Sequence, residues 1–273
     1  MKTLIIYTTN KLSYNLEYFC KFAYFYDKNI DFYICLNNNN LNIYHLFKSI
    51  DDNLFIINKD NIGYDFGAWS YILLNNNLYK NYDYFILLND TCIGPFLPVY
   101  IKDNWVSIFI SQINNYDKLI GATINYNYMK PHVQSYFLCF DKIIINLCIN
   151  NNIFSNDLNN INILNEHDKK IFINNYEIRL STLVLDSGYN IKCMMKGLEN
   201  IDFRLNREKP KIFLEYGEIN KEDMLYENQY FNISINPFEV IFFKSNRNIN
   251  NKLLEKYIQF NNRIINNSKD KIY

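Results

Sequence analysis

Short apolar runs separated by polar, Asn-rich breaks set the rhythm of this chain. Leu4 to Thr8 is a β-type run, and after a polar turn Tyr14 to Tyr26 carries its apolar residues at helical spacing. Asp31 to Leu36 predicts a second strand, Ile43 to Ile50 a helix, and Leu54 to Ile57 a third strand ending at Asn58, Lys59 and Asp60. A βαβαβ order on short connections argues for a parallel sheet covered by helices on both faces. A helix over Ala68 to Leu78 comes next, then a fourth strand, Tyr84 to Leu88, whose apolar run stops abruptly at Asn89, Asp90 and Thr91. Gly94, Pro95 and Pro98 punctuate the loop beyond it.

The second half is less regular. Trp105 to Ile113 predicts a helix, and Lys118 to Ile124 and Tyr136 to Phe140 predict strands, the latter preceded by the polar group His132, Gln134 and Ser135. Glu166 to Ser187 is the longest helical candidate, with Gly188 placed as its C-terminal stop, and Ile191 to Met195 is a last core strand. Beyond Gly197 charge rises, strand signals weaken, and Pro210 and Pro237 break the pattern. The expected architecture is α/β, with a Rossmann-like mixed sheet flanked by helices. Residues 1–200 form the core, and an irregular extension over 201–273 packs on it, ending in an exposed helix near Leu253 to Phe260 and a frayed tail.

Composition changes this picture little. With 49% hydrophobic and 21% charged residues, the 273-residue chain is that of a folded globular protein able to bury a large core. The excess of Ile, Asn, Lys, Tyr and Phe resembles the product of AT-rich coding DNA, so Asn runs such as Asn37 to Asn40 carry little meaning. Lys plus Arg and Asp plus Glu are both 28, which leaves no global field to attract nucleic acid. The six cysteines form no C-x-x-C pair and read as reduced, buried small hydrophobes of a cytosol-facing protein. The N-terminal apolar run is too short for a signal peptide, and no later run reaches the roughly 18 to 20 residues of a membrane span. The expectation is a cytoplasmic protein, or one associated peripherally with the cytosolic face of a membrane.

The candidate chemistry is local. Neither GxGxxG nor GxxxxGK[ST] occurs, and the first strand runs instead into Thr8, Thr9, Asn10 and Lys11. The third strand leads into Asn61, Gly63, Tyr64, Asp65, Phe66 and Gly67 at the opening of a helix. Glycines there permit close backbone approach, free N–H groups lie at the helix start, and Asp65 can accept from sugar hydroxyls; equally, Asp65 can simply cap the helix. A buried strand ending in Asn89 and Asp90 puts polar groups at the carboxyl edge of a sheet, where open α/β folds place their ligands, and Mg²⁺ or Mn²⁺ is commonly held by one or two carboxylates plus a nucleotide's phosphates. An Asx turn into Gly94 and Pro95 is the plainer alternative. His132 is a cleft residue or a hydrogen-bonded structural one, and Lys244 with Arg247 is a diphosphate clamp or the solvated end of a strand.

Taken in order, the runs NIGYDFGAW, YFILLNDTCIGPF, HVQSYFLCF, YEIRLSTLVLDSGY and NPFEVIFFKSNR resemble the rhamnan synthesis F family of polysaccharide-biosynthesis glycosyltransferases. The resemblance covers residues 1 to about 247. It implies a GT-A-type fold, a nucleotide-diphosphate sugar donor, a glycan or glycolipid acceptor and a divalent cation, Mn²⁺ or Mg²⁺. The implied donor side comprises Thr8, Asn61, Gly63, Tyr64, Asp65, Asn89 and Asp90, with Asn89 and Asp90 in the place of an Asp-x-Asp metal motif and Asp90 as the metal ligand. Asn89 departs from that motif, offering a neutral amide where an Asp is usual. His132, Gln134 and Ser135 would line the sugar or acceptor cleft, and Glu177 would stand as the catalytic carboxylate, with Asp186 and Asp141 next in line. From local sequence alone Glu177 also suits a surface ion pair with Lys170 or Arg179. A non-catalytic carbohydrate- or nucleotide-sugar-binding protein on the same fold is the alternative function.

Overall fold

The structure, a computed structural model, describes residues 1–127, 130–161, 165–207, 223–247 and 251–269. In chain order its elements are β1 (Thr3–Thr9), α1 (Tyr14–Tyr18), β2 (Ile30–Leu36), β3 (Leu54–Asn58), α2 (Tyr64–Leu74), β4 (Tyr84–Asn89), β5 (Cys92–Ile93), α3 (Trp105–Ile110), β6 (Asp117–Gly121), β7 (Ile124–Asn127), β8 (Lys130–Val133), β9 (Phe137–Asp141), α4 (Lys142–Asn150), α5 (Glu166–Phe172), α6 (Arg179–Asp186), β10 (Asn190–Cys193), α7 (Pro237–Val240), β11 (Phe243–Lys244) and α8 (Asn251–Lys269). Pro210 lies outside the described residues.

Seven strands form the central sheet in the order β10-β6-β9-β4-β1-β2-β3. All seven residues of β1 are buried, the mark of a strand covered on both faces. It runs parallel to both neighbours, with Thr3 opposite Ile30 and Tyr84, and Thr8 opposite Cys35 and Asn89. Only β9 is reversed within this sheet, antiparallel to β4 and β6. The mixed, Rossmann-like α/β fold expected from the sequence is the one observed. The chain winds outward from β1 to β2 and β3, then returns to β4 on the other side of β1. That reversal opens a crevice at the carboxyl ends of β1 and β4.

Several elements differ from expectation. Over Ile43 to Ile50 there is one 3₁₀ turn, Tyr44–Leu46, and only Ile43 is buried. One buried apolar side chain cannot anchor a helix, and the Asn42 side chain accepts the Tyr44 N–H (3.0 Å) in place of a helical carbonyl. The β2–β3 crossover is therefore a loop. Helix α2 begins at Tyr64, ahead of the expected Ala68, because Gly63 in the left-handed region (φ 72°) turns the chain directly into it. It ends at Leu74, and left-handed Asn76 and Asn77 (φ 49° and 54°) follow. The run expected as one strand from Lys118 splits after Gly121; β6 stays in the sheet and β7 leaves with β8 as a two-stranded ribbon. Helix α4 lies outside the expected elements, although Lys142, Asn146 and Asn150 recur every four residues opposite the buried Ile144, Ile145 and Cys148; Asp141 caps it, accepting from the N–H groups of Ile143 and Ile144.

The expected long helix is present as α5, a π-helical turn over Ile173–Ile178, and α6, and Gly188 (φ 84°) stands just beyond its end. Helix α8 is longer than expected and is docked, not free: Leu254 is buried, and Asn261 Nδ2 donates to Tyr18 Oη (2.6 Å) and to the Pro95 carbonyl (2.8 Å). All six cysteines are buried and unpaired, as the reduced-thiol reading requires. Among the described residues no helix is long and apolar enough to cross a membrane.

Candidate active site

A cleft of about 400 Å³ opens over the switch-point crevice, and three walls built from distant parts of the chain meet there. The first wall is the Asn89–Asp65 pair. Asn89, at the end of β4, donates from Nδ2 to Asp65 Oδ2 (2.6 Å), while its Oδ1 accepts the Thr91 N–H (3.1 Å) and hydroxyl (2.5 Å). Asp65 sits in the first turn of α2. Burial pushes its carboxyl up to about 7; the Asn89 bond opposes this, the nearby Asp90 charge adds to it, and Lys244 pulls back.

The second wall comes from the β7–β8 ribbon and the helix opposite. His132 is 3% exposed, and its Nδ1 lies 3.2 Å from the Lys130 carbonyl, so the tautomer with the proton on Nδ1 makes that bond and leaves Nε2 an acceptor. Burial lowers the pKa of this imidazole, which favours the neutral form. Glu177 projects from the π-helical turn, and its Oε1 accepts the backbone N–H of Ser135 (3.0 Å). Inserted turns of this kind re-aim side chains and recur at functional sites.

The third wall belongs to residues beyond 200. Strand β11 pairs antiparallel with β5, setting Lys244 opposite Cys92. Lys244 Nζ lies 5.7 Å from the centre of the Tyr136 ring and has neither ion pair nor hydrogen bond among the described residues. Burial lowers its pKa, with the charge of Glu177 the largest influence in the other direction. Arg247 Nε donates to Asp223 Oδ2 (2.6 Å), and Asp223 also accepts from Gln134 Nε2 (3.2 Å to each oxygen). Gln134 in turn accepts the Thr123 hydroxyl (2.7 Å), so a polar chain ties this wall to the second.

Residues 34–265 match the rhamnan synthesis protein F family. The chain belongs to that family. The protein is also similar to "Virulence protein VirA" of Vibrio anguillarum, 29% identical over 140 residues; the matched stretch takes in 50% of this chain and 40% of the length of that relative. Among solved structures, A197 from STIV shares 10% identity at a TM-score of 0.29, over 54% of this chain and 68% of that one.

Of the residues singled out in this family member, the cleft gathers Tyr64, Asp65, Asn89, His132, Gln134, Ser135, Glu177, Lys244 and Arg247. Six others lie off it. The Thr8 hydroxyl, buried in β1, accepts the Asn37 amide (3.2 Å). Asn61 is exposed at the bend before α2. Gly63 donates its N–H to the Ile161 carbonyl (3.1 Å), and a Cβ there would run into the Leu158 carbonyl, so packing and its left-handed φ explain the glycine. Asp90 Oδ2 accepts the Thr9 hydroxyl (2.8 Å), and its backbone oxygen accepts the Asn15 amide (2.7 Å). Asp141 is committed to a buried ion pair with Lys118 (2.6 Å), and Asp186 pairs with Arg207 (3.0 Å) at the surface. The cleft also takes in Asn125, Phe172, Asp223 and Tyr226, which carried no sequence pattern of their own.

Among the described residues no cluster of three or more His, Cys, Asp and Glu side chains gathers as a metal cage. A hard cation shared with a diphosphate needs only one or two protein carboxylates. Asp90 is the candidate for it: the residue follows β4 beside the cleft, and burial raises its pKa on balance although the Thr9 hydroxyl and the Lys11 charge favour its ionised form, so an added cation would stabilise the carboxylate.

Asp65 carries a pH prediction. Its folded pKa of about 7 lies above the ordinary 3.8. Ionisation therefore favours the unfolded chain, and the associated stability, present below about pH 4, is lost as pH rises towards 7. Asp65→Asn should remove that slope. Urea unfolding of wild type and variant at pH 5 and pH 8 should show the variant gaining on wild type at the higher pH; an unchanged difference would place the Asp65 pKa in the normal range.

Proposed function

We propose that the protein is a GT-A-type glycosyltransferase that moves a hexose or deoxyhexose from a nucleotide-diphosphate sugar to a glycan or glycolipid acceptor. It would work in the cytoplasm or at the cytosolic face of a membrane. The observation that carries the reading is the cleft itself: a carboxylate on one wall, Glu177, faces the Asp65–Asn89 pair on another, with Lys244 and Arg247 closing the third. Glu177 accepts the proton of the attacking hydroxyl; after its bond to Ser135 a carboxylate still has acceptor capacity for this. Lys244 and Arg247 offset diphosphate charge, Asp65 takes hydrogen bonds from ligand hydroxyls, and His132 presents an acceptor nitrogen to the sugar. Asp90 would hold a divalent ion, which when bound supplies Lewis-acid neutralisation of the leaving diphosphate.

Asp90→Asn tests the cation role. The variant should fold, its Thr9 contact being replaceable by an amide oxygen, and should lose the Mn²⁺ dependence of UDP or dTDP binding in calorimetric titration. Undiminished Mn²⁺-dependent binding would move the ion to other ligands.

A further inference from the structure

Tyr64 is 44% exposed at the cleft, in a left-handed backbone conformation (φ 48°) that tyrosine rarely adopts. The turn does not call for it, because Gly63 already reverses the chain and an Asn or Gly at 64 would sit there without strain. Behind it the ring is supported. Its centroid lies 6.1 Å from that of Phe172, which packs in turn on Tyr176 (4.5 Å) and Phe66 (6.0 Å), so Tyr64 is the outermost ring of a cluster of tilted and edge-on aromatic rings rooted in the core. Next along the chain is Asp65, and Glu177 stands across the cleft. An aromatic ring backed by others and rimmed by hydrogen-bonding groups matches a pyranose, which has an apolar C–H face and a polar edge. A strained backbone that holds an apolar ring exposed at a cleft is the kind of outlier that points to a ligand.

Building on the glycosyltransferase reading, we infer that Tyr64 is a stacking platform for the apolar face of a pyranose ring, the ring belonging to the donor sugar or to the acceptor. The test compares wild type with Tyr64→Phe, Tyr64→Asn and Tyr64→Gly, measuring melting temperature and affinity for UDP and dTDP, for their glucose conjugates, and for a soluble rhamno-oligosaccharide. The Asn and Gly variants should melt at or above the wild-type temperature. They should lose about tenfold or more in affinity for a sugar-bearing ligand, while the bare nucleotides bind within about threefold of wild type. Tyr64→Phe should bind every ligand within about threefold of wild type, since it keeps the ring. Loss confined to the nucleotide sugars assigns the platform to the donor ring, and loss confined to the oligosaccharide assigns it to the acceptor. Equal loss for the bare nucleotides, retention of all affinities in the Asn and Gly variants, or a lower melting temperature in both, overturns the inference and leaves the glycosyltransferase reading standing. Wild type binding none of these ligands would remove both.

Discussion

Glu177→Gln is expected to lose ~10² to 10⁴ in turnover while its affinity for donor stays at the wild-type level. The substitution isolates the charge, because a Gln carbonyl can still accept the Ser135 N–H that Glu177 Oε1 accepts now (3.0 Å). A surface ion pair is not its occupation: among the described residues it has no cationic partner, and the neighbouring Arg179 donates to the Asn151 carbonyl (2.8 Å). Of the other carboxylates near this helix, Asp186 is paired with Arg207 at the surface and Asp141 is locked to Lys118. Steady-state kinetics with saturating donor read the effect. Turnover within about threefold of wild type would make Glu177 a structural tie between its helix and the β8–β9 connection.

The second large effect falls on stability. Asp223→Ala removes the acceptor shared by Arg247, Gln134 and the Leu225 N–H, and strands a guanidinium and an amide at a buried position. Breaking a buried pair by deleting one partner typically costs 3–5 kcal/mol. The Arg247 side chain keeps 28% of its exposure against 8% for Asp223, so some water reaches the orphaned cation and a loss of about 3 kcal/mol is expected. Asp223→Asn, which keeps one acceptor for Gln134, should lose clearly less. Denaturant unfolding measures both, and equal small losses would show that the third wall is not held by this carboxylate.

How far the sequence disclosed this arrangement depends on the kind of signal each part leaves. Strands buried on both faces, β1, β4 and β9, are unbroken apolar runs and were legible, as was Gly188 at a helix end where a left-handed residue is needed. The helix expected over Ile43 to Ile50 failed because apolar spacing makes a helix only where a whole face is buried, and there Ile43 alone is fully buried while Leu46 and Phe47 pack on the core only in part. Asn89 and Asp90 were rightly placed at the edge of the sheet, yet sequence could not say which of them faces the cleft. Neighbours at a strand end point to opposite sides, and Asn89 turns to Asp65 while Asp90 turns to Thr9. Asp223 left no pattern because its partners, Gln134 and Arg247, lie 89 and 24 residues away in the chain.

The central claim is that the cleft binds a nucleotide sugar. It is tested most directly by the melting temperature of the wild-type protein with UDP-, GDP- and dTDP-sugars, each with and without Mn²⁺. A ligand at 100 times its Kd stabilises the folded state by about 2.7 kcal/mol, which for a domain of this size is a rise of roughly 5 °C or more. One base should give that rise, larger with Mn²⁺ and smaller for the free nucleoside diphosphate. No rise with any of the three at millimolar concentration would contradict the account.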